Sequence, residues 1–326
     1  MKKFAIIGFG ALGKIHFGNL VKIEEQRKDI MLTAICNDDI EAISKNVSIN
    51  IGDISVDNVD FSKYNLYTDY KEMIDKEELD FVFVTLPSFL HCEVCTYCLE
   101  HGLDVYTEKP MAITMEQCDK MMDVAKKSSK KLMIGHCLRF SNEYIYLKKL
   151  IESGEYGKVI KAEFSRKSPL PVWSAGGWLL DENKSGGCVV DMHIHDVDVM
   201  VWLFGVPEDV TSYTTNCRTA YESAFALYKY PDLTVSIIGD WGIATSYKFK
   251  ATYSVTFEKA YVECIGGKVM LYTDEGSNEI ALTSDTNMYY KEETEFIEAV
   301  VDGKPFVTAD INTVYETMKI IFKERQ

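Results

Sequence analysis

A chain that opens with a short apolar strand running straight into three spaced glycines has few folds available to it. The stretch Phe4-Ala-Ile-Ile-Gly8-Phe9-Gly10-Ala11-Leu12-Gly13-Lys-Ile-His16 reads as a strand, a tight turn and the start of a helix. That arrangement lets a backbone approach a dinucleotide pyrophosphate. Gly8 permits the turn, Gly10 keeps side-chain atoms away from the phosphates, and Gly13 lets the helix pack closely on the strand. The helix N-terminus then offers unpaired N–H groups and partial positive charge to the anion. Glycines at this spacing also occur in ordinary turns, so the weight rests on their place directly after the apolar run.

The first half continues as strands alternating with helices. Met31–Cys36 reads as a second strand, ended by Asn37-Asp38-Asp39, and Leu79–Thr85 as a buried strand closed by Leu86-Pro87. A helix over His91–Glu100, a strand over Leu103–Thr107, a helix over Met115–Ser128 and a strand over Lys131–Gly135 follow. Such alternation implies a doubly wound parallel sheet. Residues 46–63 are polar and aspartate-rich, and read as an irregular insertion. The second half is a succession of strand-like runs between 159 and 273 with one helix near Val189–Phe204, which suits an antiparallel sheet. Two helices, over Lys291–Val301 and from Asp310, close the chain. The expected organisation is α/β: a dinucleotide-binding domain over 1–135, and an α+β domain with a large, mostly antiparallel sheet over 136–326.

Composition limits the partners. The formal charge of −15 argues against nucleic acid or an anionic membrane surface. No apolar run approaches the roughly 18 residues of a membrane span, and the start lacks the apolar region and cleavage site of a signal peptide. The nine scattered cysteines suit a reducing compartment, so a cytoplasmic location is expected. Cys92, Cys95 and Cys98 fall at helical spacing and read as small apolar residues, so no metal is expected.

Three further motifs accompany the glycine turn. They are Thr85-Leu86-Pro87-Ser-Phe-Leu-His91, then Glu108-Lys109-Pro110 after a strand, then Gly186-Gly187-Cys-Val-Val-Asp191-Met-His-Ile-His195-Asp-Val-Asp198. In this order, over nearly the whole chain, they resemble the glucose–fructose oxidoreductase / inositol dehydrogenase / MocA family of nicotinamide-dependent oxidoreductases. The resemblance implies a Rossmann domain, then an α/β domain with an open sheet that builds homodimers or homotetramers. It implies a sugar, inositol or related polyol as substrate, bound between the domains. It also implies that Lys109 and His195 face the reacting hydroxyl with Asp191 beside the histidine, and that Thr85, Leu86, Pro87 and Glu108 border the cofactor.

The residues support these roles chemically. Oxidising a secondary alcohol requires a base for the hydroxyl proton. Asp191 and His195 stand at i, i+4 and share a helix face, where a carboxylate fixes the imidazole and favours its cation. Asp198, three residues on, is expected to support the histidine or meet substrate. Lys109 lies at the C-terminal end of a strand, the edge that faces the ligand crevice in doubly wound sheets. His91 is either cofactor-adjacent or simply the first residue of its helix. Arg139 is either near the nicotinamide or substrate, or in a structural salt bridge. Trp173 and Trp178 line a sugar site or belong to the core. His193 stands where the family often has a small residue, and is left outside the catalytic set.

An acidic residue after the second strand would pair with a ribose 2′-hydroxyl and repel a 2′-phosphate. Asn37 occupies the usual acidic position and Asp38 follows, with no arginine nearby, so NAD is expected over NADP. Two other classes stay open: a redox-neutral NAD-dependent glycosidase on the same scaffold, and a non-catalytic dinucleotide-binding sensor.

Overall fold

The computed structural model describes residues 1–50 and 52–325, which form two compact units. The first contains Met1–Gly135 together with Tyr289–Ile311, and the second His136–Met288 with Asn312–Gln326.

In the first unit, β1 (Lys2–Ile7) leads into α1 (Ala11–Arg27), then β2 (Ile30–Cys36) and the short α2 (Ile40–Ile43). Next come β3 (Val47–Ile49), β4 (Gly52–Ile54), β5 (Asn65–Tyr67), α3 (Tyr70–Lys76) and β6 (Phe81–Val84). The series ends with α4 (His91–Glu100), β7 (Asp104–Glu108), α5 (Met115–Ser128) and β8 (Leu132–Gly135). Six strands pair in parallel in the order β5-β2-β1-β6-β7-β8. The order reverses between β1 and β6, which is where open α/β sheets leave a crevice at the strand C-termini. The sheet centre is dry: Phe4, Ile6, Phe81, Val82 and Phe83 have no exposed surface. Residues 46–63, expected to be irregular, instead carry the β3–β4 hairpin and a 3-10 turn at Phe61–Lys63. These strands are short and have no buried residue, so they show no apolar alternation to read.

In the second unit, α6 (Asn142–Ser153) precedes β9 (Val159–Pro169), and α7 (Glu182–Ser185) precedes a π-helical turn at Val189–His193 that runs into α8 (Ile194–Phe204). The remaining strands are β10 (Asp209–Thr215), β11 (Ser223–Lys229), β12 (Thr234–Ile243), β13 (Lys250–Phe257), β14 (Tyr261–Ile265), β15 (Lys268–Thr273) and β16 (Gly276–Ile280). Their sheet has the order β10-β11-β12-β9-β13-β14-β15-β16, antiparallel except where β12 meets β9. One face is buried through Phe164, Val235, Ile237, Tyr253 and Val255. On the other, Tyr213, Phe225, Leu227 and Ile265 remain exposed.

Two terminal helices follow, α9 (Met288–Val301) and α10 (Ile311–Glu324). A division into two consecutive blocks places both in the second domain, but from Tyr289 the chain packs with the first unit. The reason is aromatic: the Phe296 ring is fully buried and lies within 6 Å of Phe81, Phe83 and Tyr106. α10, with Val314, Met318 and Ile321 buried, belongs to the second unit.

Candidate active site

Each glycine of the opening turn meets a different constraint. Gly8 has φ +91°, a region other residues rarely adopt, and a Cβ there would lie 2.9 Å from the Thr85 backbone. A Cβ on Gly13 would lie 2.4 Å from the Gly8 carbonyl oxygen, so only glycine lets α1 approach the turn. A Cβ on Gly10 would meet nothing within 4 Å, and the residue is exposed. α1 starts there with no side-chain cap and no acidic residue in its first turn. Its leading N–H groups, on Ala11, Leu12 and Gly13, therefore suit a phosphate. Thr85 donates its hydroxyl to the Gly8 carbonyl and ties the end of β6 to the turn.

Phe9 contributes backbone only. Its ring is buried edge-on against Phe17 and Phe61. Its N–H donates to Asn37 Oδ1 at 2.8 Å, while Asn37 Nδ2 donates to the Asp39 carbonyl. The Asn37 side chain is thus engaged in holding the glycine turn to the end of β2, and Asp38 beside it is the exposed acid. Lys14, which sequence reasoning passed over, is buried and donates from Nζ to the Phe9 and Ala42 carbonyls at 2.9 and 3.0 Å. Burial pushes its ammonium down to about 8.

Lys109 follows β7 and is half-buried, the one position from Val105 to Ala112 that is not buried. The Lys109–Pro110 peptide is cis. Leu86 and Pro87 are half-buried in the loop after β6. His91 is buried, with Nδ1 2.8 Å from the Pro110 carbonyl oxygen and Nε2 2.8 Å from that of Leu86. It thereby bridges the loops after β6 and β7, and burial holds its pKa below the usual value.

Beneath Glu108 lies a cluster that no local pattern announces. His16 Nε2 is 2.7 Å from Glu108 Oε1, and His16 Nδ1 is 2.7 Å from Glu293 Oε1 on α9. Asn19 also donates to Glu293, and Tyr106 donates to Glu292 at 2.8 Å. Burial alone would lower the His16 pKa, but the hydrogen bonds it donates to Glu108 and Glu293 outweigh it and push it up to about 10. Burial raises Glu293 to about 7 and Glu292 well above its ordinary range. Glu108 stays below its usual value because its bond and charge interaction with His16 overcome burial. His16, Glu108 and Glu292 carry atoms within 4.8 Å of one another, a spacing that also suits a cation. Both His16 ring nitrogens face carboxylates at donor distance, so the ring serves as an imidazolium rather than as a ligand.

In the second unit, Asp191 lies in the π-helical turn and His195 in the first turn of α8. From Ser185 to Val201 these two are the only residues not buried. The neighbouring polar side chains are locked inward. Arg166 forms a two-bonded pair with Asp196 at 2.9 and 3.0 Å. His193 Nε2 lies 2.9 Å from Glu324 Oε2, and Tyr228 donates to the same carboxylate. The histidine that departs from the family pattern therefore faces the core.

Asp198, expected to support His195 or meet substrate, is instead buried in a two-bonded pair with Arg139, at 2.6 and 2.8 Å. Of the two roles open to Arg139, the geometry has the structural salt bridge. Burial opposes the Asp198 charge, but Arg139 and His136 hold its pKa below the usual value. Trp173 is 38% exposed and Trp178 half-buried, in a loop turned by Gly176 and Gly177 at positive φ. Among the described residues no helix is long and apolar enough to cross a membrane.

A parallel sheet reversing at the glycine turn, an uncapped helix N-terminus and an exposed acid after β2 define a dinucleotide-binding unit. A family model described as an oxidoreductase family with an NAD-binding Rossmann fold matches residues 2–136, and the C-terminal domain model of the same family matches 144–263. The chain belongs to this Gfo/Idh/MocA oxidoreductase family. It is 34% identical over 145 residues to 2,7-anhydro-N-acetylneuraminate hydratase of Mediterraneibacter gnavus, covering 44% of this chain and 38% of that protein. It is 26% identical over 210 residues to an NADP(+)-dependent scyllo-inositol 2-dehydrogenase of Bacillus subtilis, covering 64% of this chain and 54% of that one. The chain thus spans about half or less of the length of these curated relatives. The crystal structure of myo-inositol 2-dehydrogenase from Lactobacillus plantarum superposes with a TM-score of 0.79 at 26% identity, over 100% of this chain and 96% of that one.

Two predictions follow from this geometry. Gly13→Ala should cost about 1–3 kcal/mol of stability through overpacking, whereas Gly10→Ala should cost about 1 kcal/mol or less while weakening dinucleotide binding. Urea denaturation and a cofactor titration read the two effects separately. The folded state also holds protons that the unfolded chain releases, on Glu293 between about 4.5 and 7 and on His16 between 6.5 and about 10. Both contributions to stability are present at the low end of their window and lost as pH rises through it. Wild type should therefore lose stability between pH 7 and 9, as measured by urea denaturation at each pH.

Proposed function

We propose that this protein is an NAD-dependent dehydrogenase acting on a secondary alcohol of a sugar-like or cyclic polyol. The observation that carries the reading is selective exposure. In two otherwise buried runs, the side chains left partly open are Lys109 in one and Asp191 with His195 in the other, which are the residue types this chemistry requires. A bound nicotinamide supplies the hydride acceptor. The Gly8–Gly13 backbone and the α1 N-terminus would hold its pyrophosphate, with Asp38 on the adenine ribose. Lys109 orients the substrate oxygen and favours its alkoxide character, His195 accepts the hydroxyl proton, and Asp191 fixes the imidazole. NAD is preferred because Asp38 would repel a 2′-phosphate. The open sheet face with Tyr213, Phe225, Leu227 and Ile265 is the surface through which copies associate; a monomer in sedimentation velocity would remove that part.

The hydratase relative favours one second reading, a redox-neutral reaction in which the cofactor is regenerated within each turnover. Screening inositols and sugars for NADH formation separates the two. Stoichiometric NADH supports the dehydrogenase, and product without NADH supports the redox-neutral enzyme. Lys109→Ala and His195→Ala should each lower kcat by about 10²-fold or more with little change in NAD affinity. Near-normal turnover in both variants, or a higher kcat/KM with NADP than with NAD, would overturn the corresponding assignment.

A further inference from the structure

Within the first unit, Lys109 is bracketed by two residues that are each held by a buried histidine. On one side, Glu108 is gripped through its side chain by His16; on the other, the Pro110 carbonyl is met by His91. The two histidines are 0% and 1% exposed, so neither exchanges protons readily with solvent. The pairing of β7 with β8 ends at Glu108, opposite Gly135, so the sheet ladder no longer fixes the backbone that follows. Proline has no N–H to give there. Side-chain contacts replace the ladder at the point where the position of Lys109 is decided.

We propose that His16 and His91 are positioning residues that together set the place of the Lys109 ammonium, His16 through Glu108 and His91 through Pro110. The proposal rests on the reading of Lys109 as the substrate-facing cation. The two grips differ in kind. His16 faces Glu108 and Tyr106 from β7, Glu292, Glu293 and the Tyr289 ring from α9, the Phe83 ring from β6, and Asn19 from its own helix. Its positive charge lies between two carboxylates in a dry site, where charge-assisted hydrogen bonds are short and directional. The Glu108 carboxylate is therefore tied to α1 and, through Glu293, to α9. His91 makes its contacts with backbone carbonyls, which join the β7 loop to the β6 loop at Leu86. Geometry near a reacting atom is worth orders of magnitude in rate, so a loosened bracket should appear in turnover before it appears in binding.

The test uses the full chain with His16→Gln, His91→Gln and Glu293→Gln. His16→Gln keeps an N–H for Glu108 but removes the charge, and Glu293→Gln keeps an acceptor for His16, so at least one variant should fold if another fails. Hydrogen exchange over residues 106–112 should quicken in the histidine variants and less so in Glu293→Gln. At saturating substrates kcat should fall by about tenfold or more, with the NAD Kd changed by less than about threefold. Adding Glu108→Gln to His16→Gln pairs two amides, and the double variant should lose less than the product of the single losses. A role in stability alone would lower unfolding midpoints and leave the kcat-against-Kd split and the coupling unmoved. Wild-type exchange over 106–112 in the folded histidine variants overturns the proposal. If wild type turns over no polyol with either cofactor, the functional reading fails, and the exchange measurement, which needs no substrate, still decides the bracket.

Discussion

The interaction on which the first unit most depends is the His16 imidazolium held between Glu108 and Glu293. It joins α1, which begins at the glycine turn, to the end of β7 and to α9, a helix nearly three hundred residues further along the chain. An uncompensated carboxylate at such depth would cost several kcal/mol, so the cation and the carboxylates require each other. The aromatic packing of Phe296 on Phe81, Phe83 and Tyr106 brings α9 to the sheet, and the ionic contact sets its register there. One cluster thus fixes the helix behind the glycine turn and the strand that ends at Glu108, just before Lys109.

The second unit solves a similar problem with other pairs. A helix carrying Asp191, His193, His195, Asp196 and Asp198 within eight residues would be a poor core element unless most of those charges were compensated. Arg166 takes Asp196, Arg139 takes Asp198, and Glu324 with Tyr228 takes His193. Each pair is buried and geometrically demanding, which favours one orientation of α8 over its neighbours. What remains partly open is Asp191 and His195, one turn apart. Most of the polar residues in this motif are the frame, and the frame leaves two of them partly open.

Legibility followed the range of the cause. The glycine turn could be read because its three constraints are local: a positive φ at Gly8, an open approach at Gly10 and close packing at Gly13. The strands of the parallel sheet other than β5 could be read because they are largely buried and their apolar runs are continuous, whereas β5 has no buried residue and gave no such run. The helices over 70–76 and 142–153 and the last strand at 276–280 were not legible, since they are short or carry mixed polar surfaces. Asn37 was read only as the residue at the usual acidic position, whereas its amide is the brace between β2 and the glycine turn. The inward direction of Asp198 was equally hidden, because i, i+3 spacing says which residues are neighbours and not which face meets the core; for Arg139 the structural salt bridge was one of two readings left open.

Sequence alone determined the class of fold and the dinucleotide turn, because each rests on contacts between residues close in the chain. Tertiary structure decided the rest. It returned Tyr289–Ile311 to the first unit, chose the buried partners of His16, Arg139, Arg166 and His193, and left Lys109, Asp191 and His195 partly open. Those outcomes depend on which distant charges are desolvated together, and a buried charge is tolerated only where folding delivers its partner.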